Sequence, residues 1–504
     1  MIRWHGSLLA LTTGLALVGC TTVGPDYVEP SLMIPKTLTT LATIDSEGIA
    51  AGEGVDPLWW TGFGDPQLTT LIEQALVSNY DLQAAASRIE EARAFRQTAS
   101  ALGRPQVEAD GNGQRIRSSE NARGFGPPPG LPFEQNLYEL GVSASWELDL
   151  FGRAARRREA ADARVEVSVE DRRGLVLLVI AETASAYADM RNMQTRTIIL
   201  QENEVAARRT LDATVLLTDR GLGSELDVVR ARAELDDVRA TIPPLLARER
   251  AAIASLAALT GRLPGELSGS LEPLGAAKLR ERNIPIGLPS TLLRRRPDVR
   301  LAERRLAAET ADIGAEIADL YPRFSLTGMI GLTSAIIGNL LNSGSDTFAF
   351  GGVMNWPLFS GGRERAEVDA ARSGADVARA QYQAAVIEAF SDVEKALTTY
   401  VFARERRRRL VDTQANRSRT FELAELRYSA GLDDVFAVLE TQRRLLGARD
   451  ALAEADGEVL RSTVDLYRAL GGGWEAGDQA AVSLSPIETS ASGPSSEENL
   501  SKRK

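Results

Sequence analysis

The feature that most constrains the fold is an internal duplication of the 504-residue chain. The stretch WELDLFGR, residues 146–153, recurs 210 residues later as WPLFSGGR, residues 356–363. The same offset relates Gly221-Leu222 to Gly431-Leu432, and an offset of 217 relates Asp81 to Asp298, Arg88 to Arg305 and Pro105 to Pro322. Because each offset holds over several landmarks, two copies of one unit are predicted, residues 66–265 and 290–475, with a linker over 266–289.

The hydrophobic period changes in the same order within each copy, from helical to alternating and back to helical. In the first copy a helical stretch from Leu68 to Leu102 ends at a turn, and two alternating stretches follow. Each copy is therefore predicted to supply one β-hairpin. The predicted strands lie at about 105–117 and 137–149 in the first copy and at about 322–334 and 346–358 in the second.

The predicted strands are long enough to cross a membrane, since strands of about 9–11 residues span a bilayer when tilted. They carry aromatic residues of the kind that form girdles at membrane interfaces, namely Tyr138, Trp146, Phe348 and Trp356. A half-buried sheet of a soluble protein would alternate in the same way. The strands alone therefore leave a membrane barrel and a soluble sheet open.

A very long helical stretch follows each hairpin, for example Arg153 to Arg220, which contains no proline and few glycines. About 65 residues at a rise of 1.5 Å extend close to 100 Å. Apolar residues recur along these stretches at gaps of 3, 4 and 7, as in a coiled coil: Val165, Val169, Val176, Ile180 and Tyr187 in the first copy, and Tyr382, Val386, Ala389, Val393, Leu397 and Tyr400 in the second. A self-contained soluble bundle is the alternative, but the high alanine content favours many helices packed side by side.

The N-terminus is predicted to be a signal peptide over residues 1–19, because Arg3 precedes an apolar run, Leu8 to Val18, that is too short to span a bilayer. The residues LVGC, 17–20, resemble the lipobox of bacterial lipoproteins. Cys20 is therefore expected to be acylated and to begin the mature chain, held to a membrane by several acyl chains. Thr21 resembles the outer-membrane sorting signal of such proteins. An ordinary signal peptide cleaved nearby is the alternative.

Reaction chemistry is constrained by the residues that the mature chain lacks. His5 is the only histidine and Cys20 the only cysteine. His5 would be removed with the signal peptide and Cys20 would be acylated. The usual Cys/His zinc sites, Ser-His-Asp triads and cysteine nucleophiles are therefore excluded. No metal, no cofactor and no enzymatic activity are therefore expected.

The charge balance argues against nucleic acid as a partner, since the formal net charge is −11. The basic run over residues 404–409 is interpreted as a solvated helix face, in which Glu405 pairs with Arg409 one turn on. No apolar run of the mature chain approaches the 18 residues that a membrane-spanning helix needs.

The predicted strands set a requirement on assembly, because one chain supplies only four of them. Each unpaired backbone group in lipid costs several kcal/mol, so two open edges would cost tens of kcal/mol. Association itself costs on the order of 4–15 kcal/mol. Other copies of the chain must therefore close the edges, and counting allows a dimer with eight strands or a trimer with twelve.

Several motifs together carry a family resemblance. They are Cys20 with VGPDY at 23–27, WWTGFGDPQL at 59–68, NYDL at 79–82, the two copies of the motif at 146–153 and 356–363, RRPDV at 295–299, and residues 431–443. With them the chain resembles the TolC-like outer-membrane factors, in the lipoprotein branch that serves RND-type multidrug efflux pumps. The resemblance covers residues 20 to about 475. It implies a mainly α fold with a membrane β-barrel, in which a homotrimer forms a 12-stranded β-barrel on a 12-helix α-barrel.

The resemblance implies the outer-membrane exit duct of a tripartite efflux pump in a Gram-negative bacterium. The duct would extend into the periplasm and conduct substrates passively, with a periplasmic adaptor protein and an inner-membrane transporter as partners and outer-membrane lipid around it. The alternative is a lipid-anchored periplasmic helical scaffold or adaptor without a pore.

The resemblance also places a periplasmic gate at two helix turns, near residues 219–224 and 430–434. Its expected gate residues are Tyr428, Phe436, Glu440 and Arg443 in the second copy and Asp227 and Arg230 in the first. Phe436 would narrow the entrance, Glu440 would supply an acidic ring, and Arg443 and Tyr428 would tether the closed state. The family commonly has LDAQ where this chain has LETQ at 439–442. Glu440 therefore replaces an aspartate, and its carboxylate extends one methylene farther from the backbone.

The turns are expected to have a second role as docking surface for the adaptor, through Gly221, Leu222, Gly431 and Leu432. Glycine permits the tight reversal between helices. Of the remaining segments, 20–65 is expected to be an acylated extended segment and 476–504 a disordered tail. For residues 31–54, two alternatives remain open: the segment is disordered, or it wraps around the helices in an extended conformation.

Overall fold

The computed structural model of the protein describes residues 22–31, 49–51, 55–119, 133–271, 284–286 and 295–478. The chain divides into two compact units. The first unit comprises Met1–Pro35, Ala84–Arg172 and Arg296–Phe390, and the second comprises Lys36–Gln83, Arg173–Arg295 and Ser391–Lys504. The predicted signal peptide and Cys20 lie outside the described residues.

Seven helices of more than one turn are described. They are α1 (Pro66–Ser78), α2 (Tyr80–Ala101), α3 (Arg153–Asp219), α4 (Glu225–Leu259), α5 (Pro297–Ala318), α6 (Arg363–Ser429) and α7 (Val435–Ala469). The described strands are β1 (Ile49–Ala51), β2 (Gln106–Arg117), β3 (Glu134–Leu148), β4 (Ile284–Ile286), β5 (Arg323–Ser334) and β6 (Asp346–Asn355). Short 3-10 helices occur at Trp59–Phe63 and Ile337–Asn339.

The two offsets found in the sequence also relate these elements. Helices α2 and α5 both have 22 residues and begin 217 residues apart, as do the 12-residue strands β2 and β5. Helices α3 and α6 both have 67 residues and helices α4 and α7 both have 35, at an offset of 210. The offset therefore changes between the two strands of the hairpin, in the loop at its tip, where a difference in length disturbs no helix or sheet.

Strand limits differ from the predicted ones chiefly at β3 and β6. Strand β3 begins at Glu134, three residues before the predicted start, because residues 134–137 pair with the end of β2. Strand β6 ends at Asn355, three residues before the predicted end. Pro357 explains the second difference, since proline has no backbone N–H to donate to a strand ladder.

The predicted coiled-coil seams are largely buried, although Val165 and Val169 of the α3 seam are only half-buried. Val176, Ile180 and Tyr187 of α3 have no exposed surface, and all six apolar residues of the α6 seam are buried. In the second unit, Met193 and Leu200 of α3 pack with Leu245 of α4. The gaps of 3, 4 and 7 therefore identify the faces on which the long helices pack. In the part of the chain that the structure describes, no helix combines the length and the apolar character needed to cross a membrane.

Ordered structure occurs in two segments for which the sequence allows or predicts disorder. Within residues 31–54, Ile49–Ala51 forms strand β1, which pairs in parallel with β4. Residues 475–478 form a helical turn, although 476–504 is predicted to be disordered. Arg173 of α3 explains this turn, because its guanidinium pairs with Asp478 at 2.8 Å and lies 4.6 Å from the centroid of the Trp474 ring.

Candidate functional site

The first part of the candidate site is the four-stranded antiparallel sheet, in which the order β2-β3-β5-β6 places the hairpins of the two copies side by side. The inner strands β3 and β5 pair over eleven residues, from Tyr138 opposite Ser334 to Leu148 opposite Phe324. Within the described residues, β2 pairs only with β3 and β6 only with β5. One edge of each of these outer strands therefore has no described partner.

The strand register separates the side chains of the sheet into an apolar and a polar face. One row across the four strands consists of Ala109, Val142, Ile330 and Phe348. A row on the opposite face consists of Gln106, Ser145, Thr327 and Gly351. Ile330 and Phe348 are largely exposed in the single chain. A sheet with one exposed apolar face and one polar face suits a boundary between lipid and an aqueous interior.

Two tryptophans fix the base of the sheet in the same way in both copies. Trp146 donates its indole N–H to the carbonyl of Gly103 at 3.2 Å, and Trp356 donates to the carbonyl of Leu320 at 3.2 Å. Both rings remain partly exposed. An indole with its N–H bonded and its ring exposed at the end of a strand is the arrangement expected at a membrane interface.

The second part of the site is the pair of helix turns in the second unit, and the first of them joins α3 to α4. Gly221 has φ of +74° and donates its N–H to the carbonyl of Thr218, while Leu222 donates to Leu217. These bonds close α3, and the left-handed φ favours glycine. Ser224 then begins α4 in a capping box with Asp227, whose carboxylate accepts the Ser224 hydroxyl at 2.7 Å.

The second turn, between α6 and α7, repeats the same geometry. Gly431 has φ of +72° and donates its N–H to the carbonyl of Tyr428, while Leu432 donates to Arg427. Arg427 also makes two hydrogen bonds to the carboxylate of Asp433, at 2.6 and 3.0 Å. The side chains of Leu222 and Leu432 are 75% and 67% exposed at the two turns. Each turn therefore presents a leucine on a rigid glycine reversal.

Phe436 and Arg230, expected on the two copies of the gate, lie together. The guanidinium carbon of Arg230 on α4 is 4.3 Å from the centroid of the Phe436 ring on α7. This is a cation–π contact, which stabilises by about 0.5–1 kcal/mol when exposed. It joins the first turn of α7 to the second turn of α4.

Glu440 holds two arginines of its own helix. Its carboxylate accepts hydrogen bonds from Arg443 at 2.6 Å and from Arg444 at 2.7 Å. The hydrogen bonds from Arg444 and Arg443 lower the pKa of Glu440. In the single chain Arg443 therefore pairs with Glu440. Tyr428 contributes its backbone carbonyl to the turn, and Asp227 caps α4.

Two residues of this cluster were missed by the sequence analysis. Arg444 follows Glu440 at the i, i+4 spacing that favours ion pairs, and this spacing could have identified it. Glu234 on α4 has a raised pKa, chiefly through burial, with Arg443 lowering it and Asp237 and Glu440 raising it further. Only the packing of α4 near α7 places Glu234 near that pair, so no local pattern could have identified it.

Within the described residues, the chain combines a duplication, a sheet whose outer strands each leave one edge unpaired, one apolar sheet face and helices of 67 residues, which is the arrangement expected of a protomer of an outer-membrane channel. Comparison with known proteins gives the family. The sequence profile described as "Outer membrane efflux protein" matches residues 71–262 and 288–472, so the chain belongs to the outer membrane efflux protein family.

Similar proteins span nearly the whole chain. The probable efflux pump outer membrane protein TtgC of Pseudomonas putida is 34% identical over 490 residues, covering 94% of this chain and 98% of that protein. The pyoverdine export outer membrane protein OpmQ of the same species is 31% identical, covering 93% and 98%. Among solved structures, the outer-membrane channel OprN is 36% identical with a TM-score of 0.83, covering 90% of this chain and all of that one.

The open state of the Neisseria gonorrhoeae MtrE outer membrane channel is 29% identical with a TM-score of 0.78, covering 90% of this chain and 98% of that one. These findings confirm the predicted family, the predicted fold class and the outer membrane as the location. They favour a channel over a scaffold without a pore.

Proposed function

We propose that this chain is one of three protomers of the outer-membrane exit duct of a tripartite efflux pump, which conducts substrates passively from the periplasm to the exterior. The observation that carries the proposal is the four-stranded sheet, whose outer strands each have one edge without a partner among the described residues and whose two faces are apolar and polar. Such a sheet is stable in lipid only when further copies complete it.

Three copies fit the function better than two. A barrel of eight strands has an interior that side chains fill, whereas a larger barrel encloses a channel. Three four-stranded sheets give twelve strands, with β2 of one protomer beside β6 of the next. The resemblance to outer-membrane factors implies the same number.

Cys20 is proposed to be the acylated first residue of the mature chain. Support comes from the LVGC motif at residues 17–20 and from the short apolar run that precedes it. The acyl chains would strengthen the attachment of the protein to the membrane beyond what the barrel provides, because each buried methylene contributes about 0.8 kcal/mol to membrane binding.

The two turns are proposed to form the gated periplasmic entrance and the docking surface for the adaptor. Phe436 and Arg230 would narrow the entrance, and Glu440 with Arg443 would hold it, with Tyr428 and Asp227 supporting the turns. The exposed Leu222 and Leu432, beside Gly221 and Gly431, offer apolar contacts to adaptor hairpins. An inner-membrane transporter would supply the energy.

The purified acylated protein tests the duct directly. Light scattering in detergent is expected to give about three times the mass of the mature chain, and planar bilayers are expected to show stepwise single-channel currents. A monomer that passes no current would instead indicate the scaffold without a pore.

The gate has its own test. Replacing Glu440 and Arg443 together by alanine is expected to enlarge the single-channel conductance, because the ionic link at the entrance is lost. The matched control replaces Arg419 and Glu422, an exposed pair of the same i, i+3 spacing on α6, 2.9 Å apart. Equal currents in the wild type and the Glu440/Arg443 variant would refute the gate at this position.

A further inference from the structure

The segment just after Cys20 is bound to the first unit at a site around Arg156, here called the seat. The proposed function does not use this site. Residues 22–31, here called the strap, form neither helix nor strand. Val23 donates its backbone N–H to the carbonyl of Phe151 at 3.1 Å, between β3 and α3. The strap is therefore fixed to the first unit at its beginning.

Arg156 of α3 is the centre of the seat. Its side chain is 4% exposed and donates hydrogen bonds to the carbonyls of Val23 at 3.2 Å and Gly24 at 3.4 Å. It also donates to the carboxylates of Asp26 at 2.7 Å and Glu159 at 2.8 Å. A buried guanidinium requires such partners, and two of these four are backbone carbonyls of the strap. Arg156 therefore holds the backbone of the strap and does not depend on a single side chain of the strap.

Two glycines give the seat its shape. Gly24 has φ of +93°, and a Cβ added there would overlap the Cα of Gly314 on α5. A Cβ added to Gly314 would lie 2.8 Å from both Cδ and Nε of Arg156. The backbone of the strap, α5 and the guanidinium thus meet at a place where no side chain fits.

Tyr27 extends the contact to the second copy of the repeat. Its hydroxyl donates to Glu303 of α5 at 2.9 Å, and its ring packs against Ala163, Ala307 and Ala308. The guanidinium carbon of Arg304 lies 5.5 Å from the centroid of the ring. The strap therefore connects α3 of the first copy with α5 of the second.

The seat also fixes where the strap begins. A Cβ added to Gly152, which lies between β3 and α3, would come 2.6 Å from Cγ2 of Thr22. The strap therefore begins beside the junction of β3 and α3, and Thr22 follows Cys20 by two residues in the sequence. Strand β3 is an inner strand of the sheet, away from its open edges.

We propose that Arg156 is the positioning residue of the lipid anchor: it holds the strap so that the acyl chains on Cys20 enter the membrane beside the inner strand β3, away from the seams between protomers. The inference rests on the proposed acylation of Cys20. In this arrangement the protein, rather than the lipid, determines where the anchor attaches.

Hydrogen exchange of the full-length protein in detergent tests the seat, followed by mass spectrometry of peptides that cover residues 21–31. Arg156→Gln is expected to speed exchange at Val23 and its neighbours by roughly 10- to 100-fold, since hydrogen bonds from a charged group are lost. Arg158→Gln, an exposed arginine two residues along α3, is the matched control and is expected to exchange like the wild type. Unchanged exchange in Arg156→Gln would overturn the proposal.

Two further variants separate the seat from the lipid and from the fold. Cys20→Ser removes the acylation site and is expected to keep the slow exchange; exchange as fast as in Arg156→Gln would mean that the lipid holds the strap. Gly24→Ala changes only the strap, so it is expected to speed exchange without affecting α3. Slow exchange in Gly24→Ala would contradict the fit to Gly314.

Single-channel recording of the same samples keeps this inference distinct from the proposed function. Arg156→Gln and Gly24→Ala are expected to retain the wild-type conductance, because neither residue lies in the sheet or at the turns. If the wild type forms no channel, the proposed function as an exit duct is refuted. The exchange data would still show whether Arg156 holds the strap in place.

Discussion

Single residues set the two helix turns and the chemistry between them. Gly221 and Gly431 adopt nearly the same left-handed φ, +74° and +72°, and each is followed by an exposed leucine. This local chemistry follows from the Gly-Leu pairs in the sequence. The contact of Arg230 with Phe436 does not, because it joins two helices that are distant along the chain.

The protonation of Glu440 leads to a prediction at this scale. Arg444 and Arg443 hold the pKa of Glu440 below its ordinary value, so the carboxylate stays ionised, and both pairs persist, at pH 5–7. Their contribution is present above the unfolded pKa and is lost as the pH falls through the folded pKa, which lies below the ordinary range of a glutamate. Single-channel conductance is therefore expected to be steady from pH 7 to 5 and to change only when the pH falls below that ordinary range.

Glu440→Gln is the control for this pH dependence, because it removes the titrating group and is expected to abolish the change at low pH. A conductance change near pH 6 that persists in Glu440→Gln would assign the titration to another group.

At the scale of whole elements, the long helices owe their stability to narrow apolar seams. Helices α3 and α6 would be about 100 Å long at 1.5 Å per residue, far beyond what helix propensity alone sustains. Their seams were predicted from residue spacing, and Val393 and Leu397 of α6 have no exposed surface. Helix α4 shows the limit of local rules, since it continues through Pro243 and Pro244, where a break would be predicted.

Leu397→Ala tests the α6 seam. Removing this buried side chain is expected to lower the free energy of unfolding by about 2–5 kcal/mol, since a cavity replaces packed methyl groups. The thermal unfolding midpoint in detergent is the measurement. Thr399→Ala, at an exposed position on the same helix, is the control and is expected to leave the midpoint within a degree or so.

The two faces of β5 can be distinguished in the same way. Ile330→Lys places a charge on the apolar face, where lipid contact is expected to cost about 2–4 kcal/mol near the membrane midplane. Thr327→Lys places the same charge on the polar face, where it is expected to alter ion selectivity with little loss of stability. Urea unfolding in liposomes and reversal potentials measure the two effects. A larger loss of stability for Thr327→Lys would invert the assigned faces.

For the molecule as a whole, assembly is expected to depend on the two sheet edges that have no described partner and on the helices next to them. Helix α2 leads into edge strand β2, and helix α6 follows edge strand β6. Phe95 on α2 is 65% exposed in the single chain. An exposed aromatic ring on a helix next to an open edge fits contact with a second copy of the chain.

Phe95→Asp is expected to weaken the trimer, because the contact between copies would then bury a charge without a partner. The fraction of trimer in light scattering should fall, while circular dichroism shows the helices intact. Gln97→Asp, at an exposed position on the opposite side of the same helix, is the control and should leave the trimer intact. A full yield of trimer from Phe95→Asp would show that α2 is not at the seam between protomers.

Residue order alone predicts several features of the fold. The duplication follows from motifs that recur at constant offsets, whereas the change of period between helix and strand, the seams of α3 and α6, and the glycine turns each need only residues within a few turns of one another. The Glu405–Arg409 pair, 2.8 Å apart, was predicted and confirmed for the same reason.

Which distant parts of the chain meet follows only from the folded structure. The strand order β2-β3-β5-β6 pairs Val142 with Ile330, Arg156 receives the strap from more than a hundred residues away, and Arg173 holds the helical turn at 475–478. No spacing rule encodes these partners, because they are selected by burial and hydrogen-bond satisfaction once the two copies have folded against each other.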